Sequence, residues 1–183
     1  IKAIFNDNTD ELYIHAFRFL ILTGLRRGEL CALMNSDIVG SIAFVQRAIN
    51  KSNIMTDGKT ENAQRTVALC KRAMDVLEDQ KEMLRKRRII SPYVFPSITG
   101  EMSNPNNFYE HWHDYKQTLD ISCSLHELRH TLISYASANI PEALLKKSAG
   151  HSKSMDTGIY IHAVQDESAM ISSLIDERFK SIL

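Results

Sequence analysis

Helix-period hydrophobic segments flank one short island of strand-like sequence, residues 41–69, and this arrangement constrains the fold more than any other feature of the chain. Before the island, Glu11 to Leu22 carries Leu12, Ala16, Phe19 and Leu20 at helical spacing, and Thr23-Gly24 ends the run. A second helix begins near Arg27 and buries Leu30, Leu33 and Met34. Inside the island, Ser41–Asn50, Asn53–Thr56 and Arg65–Leu69 read as strands, and the polar stretch Asp57–Asn62 with Gly58 suits a hairpin turn that puts Lys59 near its tip. After it, Lys71–Arg88 is a helix with Val76, Leu77, Met83 and Leu84 inward. Asn104-Pro105 pairs an N-cap residue with proline at the first helical position, opening a helix that buries Phe108, Trp112, Tyr115 and Leu119. That aromatic stripe reads as core rather than as a base-stacking platform. Further helices start at Leu125, running to about Ala138, and at Pro141, closing at Gly150. One or two helical turns cover Ser154–Tyr160. The last helix, Gln165–Ile182, places Ile171, Leu174, Ile175, Phe179 and Ile182 on one face. The expected class is mainly α (α+β), with one small three-stranded antiparallel sheet.

A chain of 183 residues supports one hydrophobic core. With 44% hydrophobic and 24% charged residues it is a globular domain and not a disordered or collagen-like chain. No stretch approaches the roughly 18 consecutive apolar residues of a membrane span, and the N-terminus has no basic-then-apolar signal pattern, so no membrane partner and a cytoplasmic location are expected. Cys31, Cys70 and Cys123 are widely spaced, without a C-x-x-C pair, and read as reduced and structural. The polar, capless N-terminal segment suggests a fragment of a longer protein.

Formal net charge is zero, so bulk charge announces no nucleic-acid partner, but its distribution is uneven. Arg47, Lys51, Lys59, Arg65, Lys71 and Arg72 crowd the middle of the chain against only Asp57 and Glu61, a stretch able to face phosphates. The Lys81–Arg88 run reads as a solvated helix face. The densest polar cluster is Ser124-Leu125-His126-Glu127-Leu128-Arg129-His130. Ser124 and Glu127 have capping-box spacing, and His126 and Arg129 are one turn apart on the same face. Unpaired N–H groups beside an imidazole and a guanidinium make a site for an anion, or a capped helix with solvated polar residues in its first turn. Arg26, just past Gly24 at the corner between two buried helices, is read either as a cap for carbonyls or as part of such a site.

In order along the chain, the polar residues at element ends are Arg26, Lys59, His126, Arg129, His151 and Tyr160. Thr23-Gly24-Leu25-Arg26-Arg27-Gly28-Glu29-Leu30 resembles the first motif of the tyrosine recombinases, the phage and transposon integrase family. His126-Glu127-Leu128-Arg129-His130 resembles its His-x-x-Arg motif, and Ala149-Gly150-His151-Ser152, with Tyr160 nine residues after the histidine, resembles its third. Lys59-Thr60 before Arg65-Thr66-Val67 is similar to the lysine hairpin of integrases from conjugative transposons and related phages. Ala149 stands where the family usually has leucine and Ala68 where proline is common, and neither change touches a chemical group. The resemblance runs from about Asn8 to Leu174, and it makes residues 1–183 a catalytic domain without the family's N-terminal DNA-clamping domain.

The resemblance implies a site-specific recombinase that cleaves and rejoins DNA through a 3′-phosphotyrosyl intermediate. Tyr160 is then the nucleophile, Lys59 the general acid for the leaving 5′ oxygen, Arg26 and Arg129 the clamps on the nonbridging oxygens, and His126 and His151 donors or proton carriers. No cofactor or metal is implied, because the tyrosyl ester keeps the bond energy. The implied partners are double-stranded DNA attachment sites, three further copies in a tetramer on DNA joined through the C-terminal helix, and an accessory directionality factor, in a bacterial or phage-encoded protein. A type IB topoisomerase uses a similar residue set, and a non-catalytic DNA-binding domain of the same fold is the other alternative.

Overall fold

A computed structural model describes residues 1–50, 52–57, 65–136 and 157–180, with side chains outside 131–168. Its elements are α1 (Lys2–Asn6), α2 (Ile14–Thr23), α3 (Arg27–Ala32), β1 (Ile38–Val39), β2 (Ile42–Val45), β3 (Arg47–Ile49), β4 (Met55–Asp57), β5 (Arg65–Ala68), α4 (Lys71–Lys86), α5 (Pro105–Thr118), α6 (Leu125–Ala136) and α7 (Thr157–Lys180). The domain is helix-rich with small antiparallel sheets, as the hydrophobic periods predict.

The axis of the core is α2. Ile14, Ala16, Phe17, Phe19, Leu20, Ile21 and Leu22 are all buried, so apart from His15 and Arg18 this helix is apolar well beyond the expected stripe. It can be so because α1, α3, α4 and α6 all pack on it. The aromatic residues of α5 complete the enclosure: Phe17 stacks on Tyr115 at 5.5 Å between ring centroids and meets Trp112 edge-on at 5.1 Å. The aromatic stripe is core, as its spacing indicates. Asn104 caps α5 by accepting the Asn106 N–H at 2.8 Å, with Pro105 at the first position.

The strand island differs from its sequence reading. The long first strand breaks at Gln46 into β2 and β3, which enter different sheets: β1-β2-β5 with three strands and β3-β4 with two. In the first, β2 runs antiparallel to β5 with Ile42 opposite Ala68 and Val45 opposite Arg65. In the second, Arg47 lies opposite Asp57 and Ile49 opposite Met55. Contact with α3 explains the break. A Cβ on Gly28 would stand 2.2 Å from the Ile49 carbonyl oxygen, so glycine alone lets the α3 backbone press against β3. Arg47 then turns inward and grips the carboxylate of buried Asp37 with its guanidinium instead of facing phosphates.

At the C-terminal end, the described parts of the two segments expected at Ser154–Tyr160 and Gln165–Ile182 belong to one continuous helix, α7, and the rest of both segments lies outside the described residues. It lies against β5, α4 and α6 of its own chain and buries Ile171, Ile175 and Phe179, with Leu174 half-buried. Asp176 caps α4 from outside, accepting the backbone N–H of Lys71 at 2.7 Å and of Arg72 at 3.3 Å. The short α1 at the apparently capless N-terminus is held by Arg18, which donates to the Ile4 carbonyl at 3.0 Å and to the Asp7 carbonyl. Among the described residues no helix is long and apolar enough to cross a membrane.

Candidate active site

Two helix starts define the site. Gly24 ends α2 in the left-handed conformation (φ 63°), its N–H returning to the Leu20 carbonyl at 2.9 Å. Leu25 then plugs the core, fully buried, and the chain emerges at Arg26 with extended backbone before α3 begins. On the facing element the Ser124 capping box forms as its spacing predicts. The Glu127 carboxylate accepts from the Ser124 N–H and hydroxyl, both at 2.7 Å, and the Glu127 N–H reaches back to Ser124 Oγ at 3.2 Å. Hydrogen bonding to Ser124, first through its side chain and then its backbone, holds the Glu127 carboxyl below its usual range.

The two starts face each other across an open groove of about 500 Å³, lined by Leu25, Arg26, Arg27, Gly28, Tyr109, Ser124, Leu125, His126 and Arg129. Three of the six expected site residues, Arg26, His126 and Arg129, therefore share one cavity although 103 positions separate the first from the last (129 − 26). Lys59 and His151 lie outside the described residues. Tyr160 sits in the first turn of α7, with its side chain likewise outside them.

The electrostatics rest on a carboxylate that sequence reading did not single out. Glu29, 5% exposed, accepts a bidentate fork from Arg65, Nη1 to Oε1 at 2.7 Å and Nη2 to Oε2 at 2.8 Å. It also accepts the Arg26 backbone N–H at 2.7 Å and Arg26 Nη1 at 3.0 Å. Burial pushes the Glu29 carboxyl up, but the Arg65 hydrogen bonds and charge, then those of Arg26, more than offset it and hold it below the usual carboxylate range. Arg65, grouped by sequence with residues able to face phosphates, is thus an internal strut. Only the spacing of the first motif hinted at Glu29. Its partner lies 36 residues away on β5, a pairing that local periodicity does not encode.

Arg129 stands apart from this network. Its side chain is largely buried, and among the described residues its Nη1 has no hydrogen-bond partner. Burial first, then the neighbouring Arg26 guanidinium, lowers its pKa below the ordinary arginine value; Glu29 counters this in part and Arg65 adds to it. An arginine remains charged at neutral pH even so. The groove therefore holds a desolvated cation with a vacant donor, repelled by a second cation, an arrangement that an anion bound between them relieves.

His126 is exposed at the groove edge. Its Nε2 lies 2.8 Å from Nε2 of His130, with the rings crossed at 86° and their centroids 4.4 Å apart. One of the two nitrogens donates its N–H and the other accepts that hydrogen bond. That contact follows from the four-residue spacing on a helix. Among the described residues no group of three or more metal-ligating side chains gathers.

The phage integrase family model matches residues 2–167. The chain is 30% identical to a prophage ps2 probable integrase of Lactococcus lactis subsp. lactis (strain IL1403), over 96% of this chain and 52% of that protein. It thus spans about half the length of this curated relative. Among solved structures, the Tn1549 transposon integrase in complex with transposon right end DNA superposes with a TM-score of 0.68 at 17% identity, covering 91% of this chain and 61% of that one. The XerA recombinase superposes with a TM-score of 0.64 at 18% identity, covering 98% and 61%.

Proposed function

The chain belongs to the phage integrase family, and from that premise we propose that it is the catalytic domain of a site-specific recombinase acting on double-stranded DNA. The observation that carries this reading is the groove in which Arg26 and Arg129 meet, with the Arg129 Nη1 buried and without a partner among the described residues. A DNA phosphodiester resists attack because the nucleophile approaches an anion and the transition state spreads more charge onto the nonbridging oxygens. Two guanidinium forks offset that charge in a geometry that lysine cannot supply.

In the proposed reaction Tyr160 Oη attacks phosphorus, forming the 3′-phosphotyrosyl bond as the bond to the 5′ oxygen breaks. The phenol, with an ordinary pKa near 10, is only about 0.1% ionised at pH 7, so its proton leaves during attack. His126 and His151 are assigned to hydrogen bonding and proton transfer at the phosphate, and Lys59 to protonating the leaving 5′ oxygen. Attack by a new 5′ hydroxyl reverses the step. The Tn1549 relative, whose structure contains transposon DNA, supports DNA as the substrate. Assembly as a tetramer on DNA through the C-terminal helix beyond Tyr160, and control by a directionality factor, extend the proposal.

The test is incubation of the protein with a nicked attachment-site duplex, followed by denaturing electrophoresis. A covalent protein–DNA adduct is expected, lost in Tyr160→Phe while DNA binding is kept. Absence of an adduct from the wild-type protein on cognate DNA rejects the reading. An adduct that persists in Tyr160→Phe moves the nucleophile elsewhere.

A further inference from the structure

One wall of the groove is not used by the chemistry above. Arg27, the first residue of α3, holds its guanidinium carbon 5.7 Å from the ring centroid of Tyr109 on α5, and both residues line the same cavity as Arg26 and Arg129. Tyr109 is 41% exposed while its neighbours Phe108 and Trp112 are in the core, so the ring stands out from a rigid base. Its aromatic face supports the arginine, and no acid neutralises it: among the described residues Arg27 has no ion pair, whereas Arg26 beside it is bound to Glu29. A guanidinium held over an aromatic ring, with no ion pair among the described residues, keeps its planar set of donors available for a phosphate.

We propose that Arg27, held by Tyr109, forms a second phosphate subsite that grips a backbone phosphate of the DNA next to the one clamped by Arg26 and Arg129. The inference rests on the recombinase reading of the groove and adds a binding position to it. Its physical basis is that consecutive arginines at the start of α3 are driven to different tasks. Arg26 turns to Glu29 and the reacting phosphate, and Arg27 turns to Tyr109 and along the strand. A subsite of this kind sets the register of the duplex and so the choice of the phosphate that reacts.

Salt dependence of DNA binding provides the test, since each neutralised phosphate contributes a slope of about 0.9 in a plot of log Kobs against log salt. Arg27→Ala is expected to reduce the slope by about 0.9, and Arg27→Lys, which keeps the charge, to restore it. Tyr109→Leu is expected to leave the slope in place but weaken binding roughly two- to fivefold, and Tyr109→Phe to recover the loss. A merely structural role moves affinity without moving the slope. An unchanged slope in Arg27→Ala, with circular dichroism showing the variant folded, overturns the proposal. Adduct formation by the wild-type protein is followed in parallel on the nicked duplex. Adduct with an unchanged Arg27→Ala slope rejects the subsite alone, and no adduct with an altered slope keeps the subsite and rejects the recombinase reading.

Discussion

Along α4, Lys81 reaches Glu78 at 2.7 Å and Arg85 reaches Glu82 at 2.8 Å, each one turn away and in full solvent, while Lys86 shares Glu82 at 3.6 Å. In the groove, by contrast, Glu29 is divided between Arg65 and Arg26, and Arg129 and Arg27 are left with no ion pair among the described residues. The two regions hold similar numbers of bases. Lys81, Arg85 and Lys86 on α4 each have water and an acid one turn away, so the run is a solvated face, as its sequence indicates. At the groove one charge, that of Arg129, has been removed from water with no ion pair among the described residues. On a chain of zero net charge this mismatch, and not a count of basic residues, marks the groove as the candidate site.

If that contrast holds, substitutions in the two regions separate sharply, and the largest gap concerns folding. Glu29→Ala leaves the fully buried Arg65 guanidinium unpaired and should cost about 3–5 kcal/mol of stability, the usual loss on breaking a buried pair from one side. Urea denaturation reads it. Glu82→Gln on α4 should leave the urea midpoint where it is. Equal losses at both positions would erase the distinction between strut and solvated face.

Next in size is an effect on chemistry. Arg129→Ala should slow adduct formation on the nicked duplex by about 100-fold or more, corresponding to roughly 3 kcal/mol of transition-state stabilisation from a preorganised donor. It should not lower thermal stability, because it removes a desolvated cation whose Nη1 has no partner among the described residues. Arg85→Ala should leave the adduct rate unaltered. An Arg129→Ala protein that reacts at the wild-type rate would take this residue out of the site.

The elements that sequence reading placed well are those coded within one or two helical turns. Asn104-Pro105 and Ser124 with Glu127 specify their caps through neighbours two or three residues away, and the structure forms both. Apolar periodicity likewise finds α2, α4 and α5. What it could not see is set by distant contacts. The break at Gln46 depends on Gly28 meeting Ile49, the burial of Arg65 on a partner 36 residues earlier, and the placement of Arg27 over a ring from another helix. For the site, the motif residues Arg26, His126 and Arg129 were legible as a set, whereas Glu29 and Tyr109, which hold them or their neighbours, carry no local signal beyond being near a motif or a core aromatic.

The pH dependence of stability sharpens the comparison further. Glu29 has a folded pKa below its unfolded value, so its contribution is fully present above the unfolded pKa of about 4.3 and disappears as pH falls through the folded value. Stability curves of the wild type and Glu29→Gln should therefore be well separated at pH 7 and converge in acid, because protonated Glu29 and glutamine present the same uncharged acceptor to Arg65. Curves that stay parallel down to pH 2 would mean that the charge of Glu29 is not what holds the fork.

The smallest effect is the response of the two carboxylates to salt. Glu82 is held down to about 2, first by its hydrogen bond to Arg85 and then by the charges of Arg85 and Lys86, but it stands in full solvent. Counterions at 1 M shorten the screening length to about 3 Å, comparable to the ion-pair distances on α4, and should carry Glu82 back toward the ordinary range. Glu29 sees little of that salt, since its partner Arg65 is buried with it and the fork is closed to ions on the core side. Carboxyl NMR titration at 0.05 M and 1 M salt should move Glu82 upward and leave Glu29 nearly in place. Equal movement of both would show that water and ions reach Glu29, and the groove would then lose the low dielectric on which the proposed grip of Arg129 on a phosphate depends.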